Sequence, residues 1–97
     1  MARTWDEFRK ELKLNDEDEL MISMEKEIIR TMVRIREEKE LSQAQLAELC
    51  RLKQPAVARI EKAEHSPQLN TLLRILVPMG YTLKIERMDR HISKKKV

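Results

Sequence analysis

The amino-acid sequence predicts an all-α fold, a five-helix domain with an N-terminal helical extension and one C-terminal β-strand. Three observations predict this class. The apolar residues are almost all Leu, Ile, Met, Val and Ala, with one Trp, one Tyr, one Phe and a single Gly, a composition that suits helices better than sheets. They recur at spacings of three and four along most of the chain, and two capping boxes mark helix starts. A chain of 97 residues has room for one such core.

A first helix is expected over about residues 4–12. A Thr-x-x-Glu capping box begins at Thr4, and the apolar residues Trp5, Phe8 and Leu12 then fall on one face. Because this segment holds two of the three aromatic residues, its apolar face is expected to pack against another apolar surface.

A second, longer helix is expected over about residues 16–38. Its first turn carries four consecutive acidic residues, where the helix dipole favours negative charge. The apolar stripe from Met21 to Ile35 is wide enough to pack against two different surfaces at once. We expect its C-terminal half to pack on the core and its N-terminal half on the first helix or on a partner.

Two short helices follow. The stretch Ser42-Gln43-Ala44-Gln45 is a second capping box and opens a helix over residues 43–50. The stretch KQPAVARI, which begins at Lys53, contains Pro55 near its start. Proline is tolerated in a first helical turn, because the N–H it lacks has no partner within the helix there. A helix over residues 54–62 is therefore predicted.

A fifth helix and a strand close the domain. Ser66-Pro67 has the form of an N-cap followed by proline at the first helical position. The only glycine, Gly80, is the expected stop of this helix. From Tyr81 to Arg87, apolar and polar residues alternate, which predicts a half-buried strand. Because one strand cannot satisfy its own backbone, we expect it to pair with a copy of itself or with the sheet edge of a partner.

The charge is divided unevenly along the chain. Residues 1–27 carry five basic and nine acidic side chains, net −4, whereas residues 28–97 carry fifteen and eight, net +7. Opposite signs indicate two different partners, a basic one for the front segment and an acidic one, such as nucleic acid, for the rest. The alternative is that the charged residues, 38% of the chain, simply solvate the outer faces of the helices.

Several classes of function are disfavoured. No apolar run reaches the roughly 18 residues of a membrane span, and the start lacks the apolar stretch of a signal peptide, so a cytoplasmic protein is expected. Cys50, His65 and His91 show no metal-ligand spacing, so neither a metal nor another cofactor is expected. The chain has no glycine-rich phosphate loop and no spacing that pairs a nucleophile with a base, so it is not expected to be an enzyme.

The two short helices form a helix-turn-helix arrangement. Val57 and Ile60 are expected to lock the second helix from inside, which leaves its outer face for the DNA major groove. Glutamine can pair with adenine and arginine with guanine, whereas lysine can contact guanine or a phosphate. The base-reading candidates are Lys53, Gln54, Pro55, Ala56 and Arg59.

The segment from about residue 28 to residue 76 resembles the xenobiotic-response-element family of helix-turn-helix domains, which phage repressors and many bacterial regulators share. The matching residues are Arg36, Leu41-Ser42-Gln43, Leu46-Ala47, Val57, Arg59-Ile60-Glu61, Ser66-Pro67 and Leu69-x-x-Leu72.

The resemblance implies roles for particular residues. The residues implied to contact phosphates are Ser42, Gln43 and Lys62. Arg36 and Glu61 are implied to form a partly buried ion pair that supports the recognition helix. The chain departs from the family where Arg51 and Ala63 stand at frequent glycine positions, so a strained or reshaped turn is expected at Arg51.

The flanking elements resemble those of antitoxins of the HigA type, with an acidic helical extension before the domain and a Met-Gly-Tyr-x-Leu-x-Ile segment after it. This resemblance implies neutralisation of a basic, messenger-RNA-cleaving, RelE-like ribonuclease toxin. It also implies a homodimer that binds double-stranded operator DNA and represses its own operon. The implied toxin-binding residues are Trp5, Phe8, Leu12, Leu20, Met21 and Met24, and the implied dimerisation residues are Met79, Tyr81, Leu83 and Ile85.

The chain is accordingly divided into four parts. They are a toxin-binding extension (1–27), the DNA-binding domain (28–80), a dimerisation strand (81–88) and a basic flexible tail (89–97). Two alternatives remain open. One is a stand-alone repressor without a toxin partner, in which the first helix completes the core; the other is a protein-binding adaptor that has kept the fold and lost DNA binding.

Overall fold

The first helix of the structure confirms the long helix expected from the sequence. The structure is a computed structural model that describes residues 16–88. Helix α1 spans Asp16–Glu38 and begins with four acidic residues. Its buried residues are Ile29, Met32 and Ile35. The buried residues of α1 thus lie in its C-terminal half, whereas Met21 and Met24 in its N-terminal half are exposed.

Three shorter helices complete the fold of the described residues. They are α2 (Gln43–Cys50), α3 (Gln54–Glu61) and α4 (Leu69–Leu76). The core lies between them and the C-terminal half of α1, and its most buried side chains are Ile29, Leu46, Val57 and Ile75. Full burial of an aliphatic side chain of this size contributes about 1.5–3 kcal/mol, so these contacts dominate the stability of so small a domain.

The start of α2 has the predicted capping box. The backbone N–H of Gln45 donates to Oγ of Ser42 at 3.0 Å, and the Ser42 N–H donates to Oε1 of Gln45 at 2.7 Å. These two bonds satisfy backbone N–H groups that a helix start otherwise leaves without partners. The start of α2 is therefore fixed by local sequence.

Cys50 belongs to this core. Its side chain is buried, and its thiol donates to the carbonyl oxygen of Ile75 at 3.7 Å. Burial raises the pKa of the Cys50 thiol, because the charged thiolate is poorly solvated there. The thiol therefore serves as a small apolar side chain.

The turn between α2 and α3 has the strain that the sequence predicts. Arg51 adopts a left-handed conformation, with φ 59° and ψ 42°. Its own N–H donates to the carbonyl of Glu48, and the next N–H, of Leu52, donates to Ala47 at 2.8 Å. These bonds end α2 in a left-handed cap, a place where glycine is favoured because it has no Cβ to clash with the backbone.

We expect Arg51→Gly to stabilise the protein. The left-handed conformation costs a non-glycine residue about 1 kcal/mol, and the greater freedom of glycine in the unfolded chain offsets part of this gain. A net increase of roughly 0.5 kcal/mol in the free energy of unfolding should be measurable by urea denaturation. The matched control is Ala44→Gly on the exposed face of the first turn of α2, which should destabilise by up to about 1 kcal/mol. If both substitutions destabilise equally, the turn is not strained.

The predicted start and end of the last helix are wrong. Helix α4 begins at Leu69, with Gln68 as its N-cap. Ser66 does not cap it, because its hydroxyl donates to Oε1 of Glu25 on α1 at 2.7 Å. The helix ends at Leu76, two residues before Pro78, which has no N–H to continue the ladder.

The predicted C-terminal strand is also wrong. Residues 81–88 have no regular secondary structure. The N–H of Tyr81 donates to the carbonyl of Leu76 at 2.9 Å, which turns the chain back over the end of α4, after a tight turn closed by Gly80 at φ 91°. Alternation of apolar and polar residues cannot make a strand without a ladder partner, and residues 16–88 offer none.

The predicted count of five helices is also wrong for the part of the chain that the structure describes. The described residues contain four helices. The helix expected over residues 4–12 lies outside them, as does the tail of residues 89–97. The domain that the structure describes is thus an all-α fold of four helices without a strand.

Candidate nucleic-acid interface

Helices α2 and α3 form a helix-turn-helix unit with a locked inner face. Helix α3 packs mainly against α2. Val57 is fully buried in the core, and the partly buried Ile60 packs against the core. Pro55 lies within the first turn of α3, which begins at Gln54. The proline therefore opens the helix, as the sequence predicts, and the helix presents its other side to solvent.

Most of the predicted DNA-binding residues lie on one exposed surface around the start of α2 and along α3. Six of the eight are exposed: Ser42, Lys53, Gln54, Pro55, Arg59 and Lys62. Gln43 and Ala56 are half-buried. Residues 42–62 carry four basic and two acidic side chains, and one of the acidic side chains, that of Glu61, is paired internally. The surface thus combines net positive charge with amide and guanidinium donors, which suits a phosphate backbone and base edges.

Arg36 of α1 and Glu61 of α3 form a bidentate ion pair behind this surface. Nε of Arg36 lies 2.7 Å from Oε2 of Glu61, and Nη2 lies 3.0 Å from Oε1. Nη1 donates to the carbonyl oxygen of Leu41 at 2.7 Å. The hydrogen bond to Glu61 is the main cause of the raised pKa of Arg36. One guanidinium therefore ties α1, the loop before α2 and the C-terminal end of α3 together.

The ion pair continues into a chain of side-chain amides that sequence analysis did not foresee. Nε2 of Gln43 donates to Oε1 of Glu61 at 2.9 Å, and Oε1 of Gln43 accepts from Nε2 of Gln54 at 3.0 Å. Each amide nitrogen keeps a second N–H, and within residues 16–88 Oε1 of Gln54 accepts no hydrogen bond, which suits the two-point contact that glutamine makes with adenine. The side chain of Gln43 thus holds the amide of Gln54 in place. The presence of a glutamine at the head of each short helix was the only sequence signal of this contact.

The six residues predicted to bind a toxin are only partly described. Trp5, Phe8 and Leu12 lie outside the described residues. On α1, Leu20 is partly exposed, and Met21 and Met24 keep about half of their surface in solvent. The N-terminal half of α1 therefore does present apolar side chains to solvent.

The four residues predicted for dimerisation differ in how far they are buried. Met79 lies in the core and Leu83 packs against it, whereas Tyr81 and Ile85 are exposed. Two of the four are thus occupied by contacts within the chain.

Other kinds of site find no support in the part of the chain that the structure describes. Residues 16–88 hold no group of three or more His, Cys, Asp or Glu side chains arranged to bind a metal. None of the four described helices is both long enough and apolar enough to cross a membrane.

The inner face of α3 is held in the core, and its outer face is exposed, basic and rich in amide groups. These features are typical of the recognition helix in a helix-turn-helix DNA-binding protein. A helix-turn-helix family profile matches residues 33–85, which is more than half of the chain. The chain belongs to the xenobiotic-response-element-like helix-turn-helix family and is a DNA-binding transcriptional regulator. Members of this class are typically not enzymes.

Two relatives extend the likeness beyond the matched domain. An uncharacterized HTH-type transcriptional regulator of Haemophilus influenzae is 38% identical over 85 residues, which is 88% of this chain and 86% of that protein. A chain of a toxin-antitoxin module from Streptococcus pneumoniae has 34% sequence identity and a TM-score of 0.64. The match covers 92% of this chain and 97% of that one.

Proposed function

We propose that this regulator is the antitoxin of a toxin-antitoxin pair. The observation that carries the proposal is the extent of the likeness to the Streptococcus pneumoniae chain, 92% of this chain. The family match begins at residue 33, and the residues from there to the C-terminus are only about two thirds of the sequence. The likeness therefore includes part of the N-terminal extension, which DNA binding alone does not explain.

The toxin would bind to the extension and to the N-terminal half of α1. This part of the chain has a net charge of −4 over residues 1–27, which favours a basic partner. Met21 and Met24 add exposed, adaptable apolar surface, a common feature of protein-binding faces. We infer a small, basic, RelE-like ribonuclease as the partner, with Trp5, Phe8, Leu12 and Leu20 as further contacts. Binding would neutralise the toxin.

The DNA-binding half would repress the operon that encodes the pair. Two copies of the helix-turn-helix unit related by a twofold axis would read two half-sites one helical turn apart on a palindromic operator. Ser42, Gln43 and Lys62 would contact phosphates, and residues 53–56 with Arg59 would face the base edges. The charge of +7 over residues 28–97 favours this half as the one that binds nucleic acid.

The proposal predicts that the product of the neighbouring gene co-purifies with this protein. We expect the double substitution Met21→Glu/Met24→Glu to weaken the complex at least tenfold, because it places two charges in an apolar contact. The measurement is co-expression followed by pull-down and calorimetric titration. The control is Leu49→Glu on α2, which is similarly exposed and should not change toxin affinity.

Two results would count against the antitoxin function. If no neighbouring gene product binds, or if the variant binds it as well as the wild type does, the toxin-binding half of the proposal fails. Specific DNA binding without a toxin partner would leave a stand-alone repressor.

A further inference from the structure

A groove of about 200 Å³ lies between α1 and the start of α4. We name it the α1–α4 groove, and the residues that line it are Glu25, Ile28, Pro67, Leu69 and Leu72. All but one of them are apolar. The hydroxyl of Ser66 donates to Oε1 of Glu25 at 2.7 Å, which holds the loop that carries Pro67 against α1. The groove is therefore a preformed apolar depression.

The groove continues an apolar strip on α1 that the core leaves uncovered. Successive residues of a helix are about 100° apart, so Met21, Met24 and Ile28 lie on the same side of α1 as the buried Met32 and Ile35. Ile28 packs against the core, whereas Met21 and Met24 are 54% and 48% exposed. The strip therefore runs from the exposed N-terminal half of α1 into the groove.

The segment before α1 has apolar residues that match this strip. Fifteen residues precede Asp16, and Trp5, Phe8 and Leu12 fall on one face of the helix that the sequence predicts over residues 4–12. Only three residues then separate that helix from α1. Two helices joined by about 2–5 residues form an antiparallel hairpin. The length of the connection thus favours a segment that folds back along α1.

The spacing along such a hairpin places Trp5 at the groove. At about 1.5 Å per residue, Trp5 is about 10 Å from the end of its helix, which brings it level with residues 23–24 of α1. Helix side chains lean toward the N-terminus of their own helix, so the indole leans toward Ile28. By the same count Phe8 falls beside Met21.

The size of the groove suits one indole ring. A closed cavity of about 150 Å³ holds a benzene ring, so a groove of about 200 Å³ has room for the side chain of Trp5. Tryptophan is also one of the side chains that contribute most to protein contacts. Because a short tether gives an effective concentration in the millimolar range, the chain's own segment competes well with any free partner for the groove.

We propose that the α1–α4 groove is the docking site of the chain's own N-terminal segment, with Trp5 seated in it when no toxin is bound. Trp5, Phe8 and Leu12 are also proposed above as toxin contacts, so the inference rests on that function and adds a competition to it. The toxin withdraws these side chains from the groove as it binds them. The contact therefore differs from a first helix that permanently completes the core.

The competition has a consequence for affinity. Only chains with an empty groove offer the three side chains to the toxin, so the apparent affinity is the intrinsic affinity reduced by the fraction of such chains. A substitution that weakens the groove without touching the segment should therefore strengthen toxin binding.

The first test uses the fluorescence of Trp5, the only tryptophan of the chain. In the full chain without toxin, its emission should be blue-shifted and resist quenching by acrylamide. In Leu69→Gln, both properties should move toward those of the urea-unfolded chain. Leu69 lines the groove but is 63% exposed, so this substitution should leave the fold intact, which circular dichroism checks.

The matched control for this variant is Leu49→Gln on α2. Leu49 is 48% exposed and does not line the groove, so its substitution should leave the emission of Trp5 unchanged. A solvent-exposed Trp5 in the wild type without toxin overturns the proposal. The proposal also fails if Leu69→Gln and Leu49→Gln have the same emission as the wild type.

The second test places Trp5 beside the groove of its own chain. A nitroxide attached to Asn70→Cys, an exposed position next to Leu69, should quench the fluorescence of Trp5. A nitroxide on Lys53→Cys, at the start of α3, should not. The buried Cys50 should stay unlabelled. No quenching from position 70 overturns the proposal.

A mixing experiment identifies the chain that fills the groove. Chains that carry Trp5→Phe and the nitroxide at position 70 are mixed in urea with unlabelled wild type and refolded together. The remaining Trp5 fluorescence should be unquenched, because each segment docks on its own chain. Quenching in the mixture means that the segment fills the groove of a second copy, which overturns the proposal.

The third test measures the competition itself. With the neighbouring gene product as the toxin, Leu69→Gln should bind about threefold more tightly than the wild type in a calorimetric titration, because the groove no longer holds the segment. Leu49→Gln should bind as the wild type does. An unchanged or weaker affinity of Leu69→Gln means that groove and toxin do not compete, and the proposal fails.

Failure of the groove and failure of the antitoxin function give different results. Fluorescence and nitroxide quenching need no toxin, whereas the antitoxin function is measured by co-purification of the neighbouring gene product. A filled groove in a protein that binds no such product contradicts the antitoxin function and leaves the docking site standing. A toxin complex formed by a protein whose Trp5 is exposed before binding does the reverse.

Discussion

Replacing Arg36 with alanine is expected to lower the free energy of unfolding by about 3 kcal/mol, the low end of the range for removing one partner of a buried pair. The Arg36 side chain is 13% exposed and that of Glu61 is 9% exposed, so the substitution leaves a carboxylate with little solvent and only Gln43 as a donor. The carbonyl of Leu41 also loses its donor. The melting temperature should fall by about 12–24 °C for a domain of this size.

The chain offers a matched control for this prediction. Arg30 pairs with Glu27 on the same helix, but both side chains are about two thirds exposed. Arg30→Ala should therefore cost less than about 1 kcal/mol. Thermal and urea denaturation followed by circular dichroism measure both variants. Equally small losses of stability in the two variants would show that the Arg36–Glu61 pair contributes no more than an exposed ion pair does.

A third variant distinguishes the effect of losing the ion pair from the effect of leaving Glu61 as an unpaired buried charge. In Arg36→Met/Glu61→Leu neither charge remains, so more than half of the lost stability should return. The pH dependence is a further check. The folded pKa of Arg36 lies above its ordinary value, so its contribution is complete below the unfolded pKa and is lost only as pH rises through the folded one. Stability from this pair should thus be constant across neutral and mildly alkaline pH.

The parts of the fold that sequence predicted correctly are those set by local interactions. The acidic first turn marked the start of α1 at Asp16, and the capping box at Ser42 marked the start of α2. Pro55 was correctly assigned to the first turn of α3, because its effect depends only on the neighbouring backbone. The strained turn at Arg51 came from comparison with the glycine that the family prefers there.

The parts that sequence missed depend on contacts between distant residues. Ser66 looked like an N-cap, but its hydroxyl bonds to Glu25, forty-one residues away in the chain. Alternation at residues 81–87 predicted a strand, although a strand also requires a partner that local pattern cannot supply. At the candidate interface, residue types predicted eight DNA-binding residues, and six of these are exposed. The hydrogen bond that Gln54 donates to Gln43 could not be predicted from sequence, because it depends on the angle between α2 and α3.

Removing the side chain of Gln54 is expected to weaken binding to the operator by about thirty-fold, within the 1–3 kcal/mol of a two-point base contact. Gln54 is exposed at the start of α3, and its amide is held by Gln43 at 3.0 Å. If the contact reads a base, binding to random DNA should not change. Fluorescence anisotropy with DNA from the protein's own promoter and with a scrambled duplex measures both affinities.

The same assay distinguishes base reading from phosphate contact and tests the role of Gln43. Lys62→Ala should weaken binding to both duplexes equally and reduce the slope of log K against log salt by about 1, whereas Gln54→Ala should leave that slope unchanged. Arg59→Ala should behave like Gln54→Ala if its guanidinium reads a guanine. If Gln43 acts by orienting Gln54, the losses from Gln43→Ala and Gln54→Ala should not add in the double variant. Fully additive losses would mean that Gln43 acts on DNA independently of Gln54, and an equal loss on scrambled DNA would make Gln54 a backbone contact.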